Sequence, residues 1–182
     1  MPSAAAKRQP LSLKARALAL LAQREQSVSE IRRKLLRHLR ATSLPASAGA
    51  LAEEVDPIPV EDDGEARVDE VIDWLRAHNY LSEERFVESR LNARSGRYGN
   101  LRIRQELAQH GVVMTPEAAQ SLKDSELERA TEVWRKKFAH PPADAAEKAR
   151  HARFLSQRGF SPDVISRVLR NARAAGKAET AD

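Results

Sequence analysis

The side chains in this sequence best equipped for chemistry are cations. Arg32, Arg33 and Arg37 form one cluster, Arg90, Arg94, Arg97, Arg102 and Arg104 a second, and Lys136, Lys137, Arg150 and Arg153 a third. Guanidinium and ammonium groups at this density bind phosphates and carboxylates through charge-assisted hydrogen bonds, and arginine often does so bidentately. Solvated arginines between apolar stripes would account for any one of them. They account less well for an excess that returns three times. No constellation for catalysis competes with this reading. Of the five histidines, His38 and His110 fall at equivalent positions near helix ends, where a cation suits the dipole. No metal-protease, phosphate-loop, dinucleotide or nucleophile-elbow motif is present. The carboxylates Glu83 and Glu84 read as first-turn dipole partners. We therefore expect no enzyme, no cofactor and no metal.

Charge is segregated along the chain. Residues 1–40 carry +8, residues 41–84 carry −10 and residues 85–182 carry +7, within a net charge of +5. A basic array interrupted by an acidic block suits a polyanion or an acidic protein surface as partner. Aromatic residues make up only 4% of the chain, so base stacking on single strands is disfavoured. Tyr98 is the one candidate stacker, although packing within its turn explains it better, and core packing explains Trp74 and Trp134. The absence of cysteine excludes disulfides and thiolate chemistry and fits a reducing, cytoplasmic setting. No apolar run is long enough to span a membrane, and no secretory signal is read at the N-terminus.

Short amphipathic helices must position these cations. Leu13, Ala17, Leu20 and Leu21 make the first apolar stripe. Ser27 and Glu30 form a capping box for a helix over 28–40. Residues 41–64 break the pattern with Pro45, Pro57 and Pro59 and an acid-rich run, and they read as a flexible insertion. Its charge is opposite to that of the array, so it could fold back and screen the basic units from bare DNA, or be a tolerated loop without a role. Periodicity resumes at Val68, Val71, Ile72 and Leu75. Ser82 caps a helix to about Ala93, and Leu101–His110 forms the next, ended by Gly111. Thr115-Pro116-Glu117 opens a short helix. Leu127, Ala130, Trp134 and Phe138 form a further stripe, Asp144 opens a helix to Arg158, and Ser161-Pro162-Asp163 opens the last.

The helices repeat. Gln109-His110-Gly111-Val112 returns 48 residues later as Gln157-Arg158-Gly159-Phe160, and Ile31, Leu35 and His38 return 72 residues later as Ile103, Leu107 and His110. The excess of 24 equals the length of the insertion. The expected fold is all-α: three tandem three-helix repeats over 12–80, 81–123 and 124–171, between a flexible arm over 1–11 and a fraying tail over 172–182. Units this small must stack on their neighbours.

The block Leu81-Ser82-Glu83-Glu84-Arg85-Phe86, followed by Tyr98-Gly99, Ile103-Arg104-Gln105-Glu106-Leu107 and Gly111-Val112, resembles the central signature of the RecX family of bacterial RecA regulators. The resemblance extends more weakly from Leu13 to Arg170. It implies an elongated, curved array that acts as a monomer and lodges in the groove of the RecA filament on DNA. It further implies depressed RecA ATPase, strand exchange and coprotease activity, and so an effect on recombination, DNA repair and the SOS response. The residues alone leave two other functions open: direct nucleic-acid binding without RecA, and a scaffold for an acidic protein. The chain departs from the family at Asn100, where proline is frequent and the helix start is expected to loosen, and in the acidic insertion.

Overall fold

The computed structural model describes residues 11–43 and 63–179, and within them every regular element is an α-helix. The helices are α1 (Leu13–Leu21), α2 (Val28–Ser43), α3 (Asp63–Ala77), α4 (Glu83–Arg94), α5 (Asn100–Gln109), α6 (Pro116–Asp124), α7 (Glu126–Lys137), α8 (Ala145–Gln157) and α9 (Pro162–Glu179). The capping signals act as read. Ser27 Oγ accepts from the Glu30 amide, Ser82 Oγ from Arg85, Thr115 Oγ1 from Ala118 and Asp144 Oδ1 from Glu147. Each satisfies an amide that the first helical turn leaves without a partner.

The chain divides into two compact units, residues 1–86 and 87–182. In the first, α1, α2 and α3 pack against one another. Ala17, Ile31, Leu35, Val68, Val71, Ile72 and Leu75 form their core, joined by Leu81 from the connection that follows. Gln26 is buried beneath them and is fully used: its amide donates to the Leu20 carbonyl at 2.6 Å and accepts from Lys34 at 2.6 Å. The E-R-F arginine, Arg85, donates to Glu25 and to the carbonyls of Asn79 and Tyr80, tying the chain turn after α3. Asn79 holds the left-handed conformation there, with φ of 57°.

In the second unit, α7, α8 and α9 close on Ala130, Trp134, Leu155, Phe160, Val164 and Val168. Trp134 is therefore core, whereas Trp74 is only half-buried and stacks with His78 and Tyr80. Repeat 2 buries Val87, Ile103, Leu107, Val112 and Leu122, and because α4 and α5 approach little along their backbones, polar groups add to fastening them.

Three boundaries differ from expectation. Helix α2 runs to Ser43 and α3 begins at Asp63, so Ala41–Ser43 and Gly64 are helical rather than part of the insertion. The remainder of that acidic segment, 44–62, residues 1–10 of the arm over 1–11 and residues 180–182 of the tail lie outside the described residues. At the other end, α9 continues to Glu179 where fraying after Asn171 is expected. Its extension rests on the loop before α8: a Cβ at Gly176 would come within 2.8 Å of Pro141 Cγ.

Candidate partner-binding surface

The arginines of α2 divide by helical face. Ile31 and Leu35 point into the core, and Arg32, beside them, pairs with Asp69 of α3. Arg33 and Arg37 lie one turn apart, exposed, with no carboxylate partner among the described residues. The field they make is felt by Lys34, which burial and the nearby Arg24, Arg33 and Arg37 push below its ordinary pKa against the pull of Glu30. Glu30 itself is held by Arg24 at 3.1 and 3.0 Å, and that hydrogen bond raises the Arg24 pKa.

In the second unit, Arg90 and Arg94 turn toward the protein. Both reach the Glu106 carboxylate on α5, Arg90 at 3.2 Å and Arg94 through Nε and a terminal nitrogen at 3.2 and 3.1 Å. One acid thus holds two cations and links α4 to α5. Arg102 is exposed, but its guanidinium lies 4.5 Å above the Tyr98 ring and donates to the Gln157 carbonyl. Tyr98 is half-buried in the α4–α5 turn beneath Arg102, as a packing residue would be. Arg104 and Arg153 are exposed without an ion-pair partner among the described residues, and Arg150 pairs with Glu147 at 3.0 Å.

Arg97, Lys136 and Lys137, by contrast, come together. They line a depression of 390 Å³ between the α4–α5 turn and helices α7 and α8, together with Arg158, Tyr98 and Phe154. No carboxylate lines it. Lys136 faces Glu132 at 3.9 Å on the exposed surface, a contact of small energetic weight. Arg158 was not singled out from the sequence. It sits over the Phe154 ring at 4.5 Å and donates to the Arg97 carbonyl. The signal was available: Arg158 precedes Gly159, the repeat equivalent of Gly111, and both glycines have positive φ.

The two sides of this depression belong to different repeats, and the backbone fastens them. The Gly99 amide donates to the Arg158 carbonyl at 2.9 Å, and the Leu101 amide to the Gly159 carbonyl at 3.0 Å. The approach is so close that a Cβ on Gly99 would fall 2.2 Å from the Phe160 nitrogen, and one on Gly159 2.5 Å from Arg102 Cβ. Below it lies a polar network invisible in the apolar pattern. Glu126, buried at the start of α7, accepts from the Asn100 amide at 3.0 Å and from the amide and hydroxyl of Ser161. Arg129, one turn later, donates to the carbonyls of Ser95, Tyr98 and Leu122, to Ser125 Oγ and to Asn100 Oδ1 at 2.6 Å. Burial pushes its pKa down and Glu126 pulls it up. Asn100 therefore does not loosen α5. Its amide and side chain both enter this network, and proline would remove the donor that Glu126 uses.

Among the described residues no cluster of three or more His, Asp or Glu could hold a metal ion, and no helix is long and apolar enough to cross a membrane. His151 is a core residue. Trp134 Nε1 donates to its Nδ1 at 3.3 Å, and Phe138 stacks on it with 3.6 Å between ring centres. Burial, reinforced by Arg150 and opposed by Glu147, lowers its pKa.

Comparison with known proteins covers the same helices. Residues 82–113 match the model of the second three-helix domain of RecX, and residues 124–169 that of the third. The chain is similar to the regulatory protein RecX of Ralstonia pickettii, 42% identical over 167 residues and 91% of each chain. The regulatory protein RecX of Leptothrix cholodnii is 45% identical over 168 residues, 91% of this chain and 92% of that one. Among solved structures, the crystal structure of RecX from Lactobacillus salivarius superposes with a TM-score of 0.61 at 15% identity, covering 89% of this chain and 95% of that chain.

Proposed function

The chain belongs to the RecX family of regulatory proteins, and from that premise we propose that it binds RecA assembled on DNA and restrains it. The protein acts in the cytoplasm as a non-enzymatic monomer, lowering RecA ATP hydrolysis, strand exchange and coprotease activity. What carries this reading is the carboxylate-free depression lined by Arg97, Lys136, Lys137 and Arg158. It offers four cations from two repeats to one partner, on a backbone that does not have to reorganise to do so. Arg33, Arg37, Arg104 and Arg153 extend the supply of exposed charge. Arg32, Arg90, Arg94 and Arg102 act through folding, by holding the helices that carry the others, and Arg150 pairs within α8.

Direct binding to nucleic acid, independent of RecA, draws on the same cations. Against it, the Tyr98 and Phe154 rings each already carry a guanidinium at 4.5 Å, which leaves them poor stacking platforms. Binding to RecA–DNA filaments and to bare DNA at near-physiological salt separates the two readings. A marked preference for filaments is expected. Equal affinity for bare DNA would sink the filament reading.

A further inference from the structure

A second concavity lies away from that depression, between the first half of α8 and the middle of α9. It measures 970 Å³ and is open to solvent. Pro142, Ala145, Ala152 and Ala174 form its accessible apolar lining, with the core residues Ile165 and Leu169 buried beneath, and Lys148, Arg170 and Arg173 stand around it. All three cations are exposed, and none has a carboxylate partner among the described residues. The single carboxylate in the lining, Asp144, is occupied as the N-cap of α8, accepting from the Glu147 amide at 2.7 Å.

The later part of the α9 wall, Arg170, Arg173 and Ala174, adds nothing to the repeat-3 core. The matched third domain ends at residue 169, and α9 continues for ten residues beyond it. Among the described residues, the core takes from that extension Ala172, at its edge. Yet the extension is held in place where Gly176 meets Pro141. A helix that runs past its own core, braced on a loop and presenting arginines over an apolar trough, is built to meet something else.

We propose that the α8–α9 groove docks an acidic amphipathic helix of a protein partner. Its apolar face would lie on Pro142, Ala145, Ala152 and Ala174, and its carboxylates would reach Lys148, Arg170 and Arg173. This is the helix-in-groove mode, with charge selecting the partner. The site does not depend on the filament reading: it lies on other residues and takes a peptide rather than phosphates.

The test uses the full chain and a fluorescein-labelled helical peptide of about sixteen residues built from Glu, Ala and Leu, long enough to hold helix. A peptide with Lys in place of Glu and a single-stranded oligonucleotide serve as controls. Fluorescence anisotropy should show the acidic peptide binding at least about tenfold more tightly than the basic one. Arg170→Glu with Arg173→Glu should weaken it about tenfold. Ala174→Trp, which fills the groove without altering charge, should weaken it comparably, with circular dichroism reporting that both variants remain folded. The proposal is overturned if the two peptides bind alike, if neither variant changes binding, or if the oligonucleotide displaces the peptide from the groove.

Discussion

Repeat 2 from Val87 onward and repeat 3 lie in one compact unit, and both bury apolar side chains, but polar groups take a larger part in fastening repeat 2. Repeat 3 closes on an apolar core in which Trp134, Leu155, Phe160 and Val168 are almost wholly buried. Repeat 2 has α4 and α5 bridged by Glu106 between Arg90 and Arg94, and its α5 start is gripped from outside by Glu126 and Arg129. The two kinds of arginine cannot be told apart by composition. Those of repeat 2 that look like the richest binding cluster are largely committed to the fold. Arg97, Lys136, Lys137 and Arg158, by contrast, gather in a depression where the two repeats meet.

This contrast can be broken first at the network. Arg129→Ala takes the donor from Asn100 Oδ1 and from the Ser95 and Tyr98 carbonyls and removes the cation near the buried Glu126, and should cost about 3 kcal/mol, since removing one member of a buried charged network leaves the rest uncompensated. Hydrogen exchange should then show α4 and α5 losing protection while α7–α9 keep theirs. Uniform loss across both repeats would show that the two do not differ as described.

Gly159→Ala comes next, at about 2 kcal/mol. It combines a positive φ of 81° with a Cβ 2.5 Å from Arg102 Cβ. Urea denaturation reads the loss, and Gly111→Ala is its control. Gly111 has a φ of 71° but open space around its Cβ, so it should cost less.

Glu106→Ala is smaller again, about 1 kcal/mol, because the clamp is partly exposed and solvent screens it. Its effect should shrink in high salt, whereas that of Gly159→Ala should not. A salt-independent Glu106 effect would mean that packing rather than charge holds α4 to α5.

The smallest effect belongs to repeat 3 and sharpens its apolar character. His151 has a folded pKa below its unfolded one, so the unfolded chain takes up a proton first as pH falls. Stability should be full above about pH 6.5, the ordinary histidine value. It should decline as pH drops below that, and level off once the folded protein also protonates. His151→Gln should flatten this part of the thermal-melting profile. An unchanged slope would assign it to another group.

Much of this was legible because it is local. Caps at Ser27, Ser82, Thr115 and Asp144 announce helix starts within four residues, and stripes such as Val68, Val71, Ile72 and Leu75 announce buried faces. The unread part depends on distance. Glu106 lies 16 residues from Arg90 and 12 from Arg94, and whether it reaches them depends on how two helices cross. Glu126 and Arg129 flank the stripe of Leu127 and Ala130 and look solvated until Asn100 and Ser161 are brought to them. Asn100 looked like a weakened proline position for the same reason. Of the twelve cations singled out, Arg97, Lys136 and Lys137 converge on one depression, and helical periodicity alone does not separate them from Arg90 and Arg94.

The central claim, that the depression between repeats 2 and 3 engages RecA on DNA, is tested most directly by RecA-dependent ATP hydrolysis on single-stranded DNA. The assay compares the unaltered protein, Arg97→Glu with Lys137→Glu, and Arg33→Glu with Arg37→Glu. The account predicts that the unaltered protein depresses hydrolysis, that the first pair largely abolishes the effect, and that the second weakens it less. Hydrolysis unchanged by the unaltered protein, or depressed equally by the Arg97 and Lys137 variant, would contradict it.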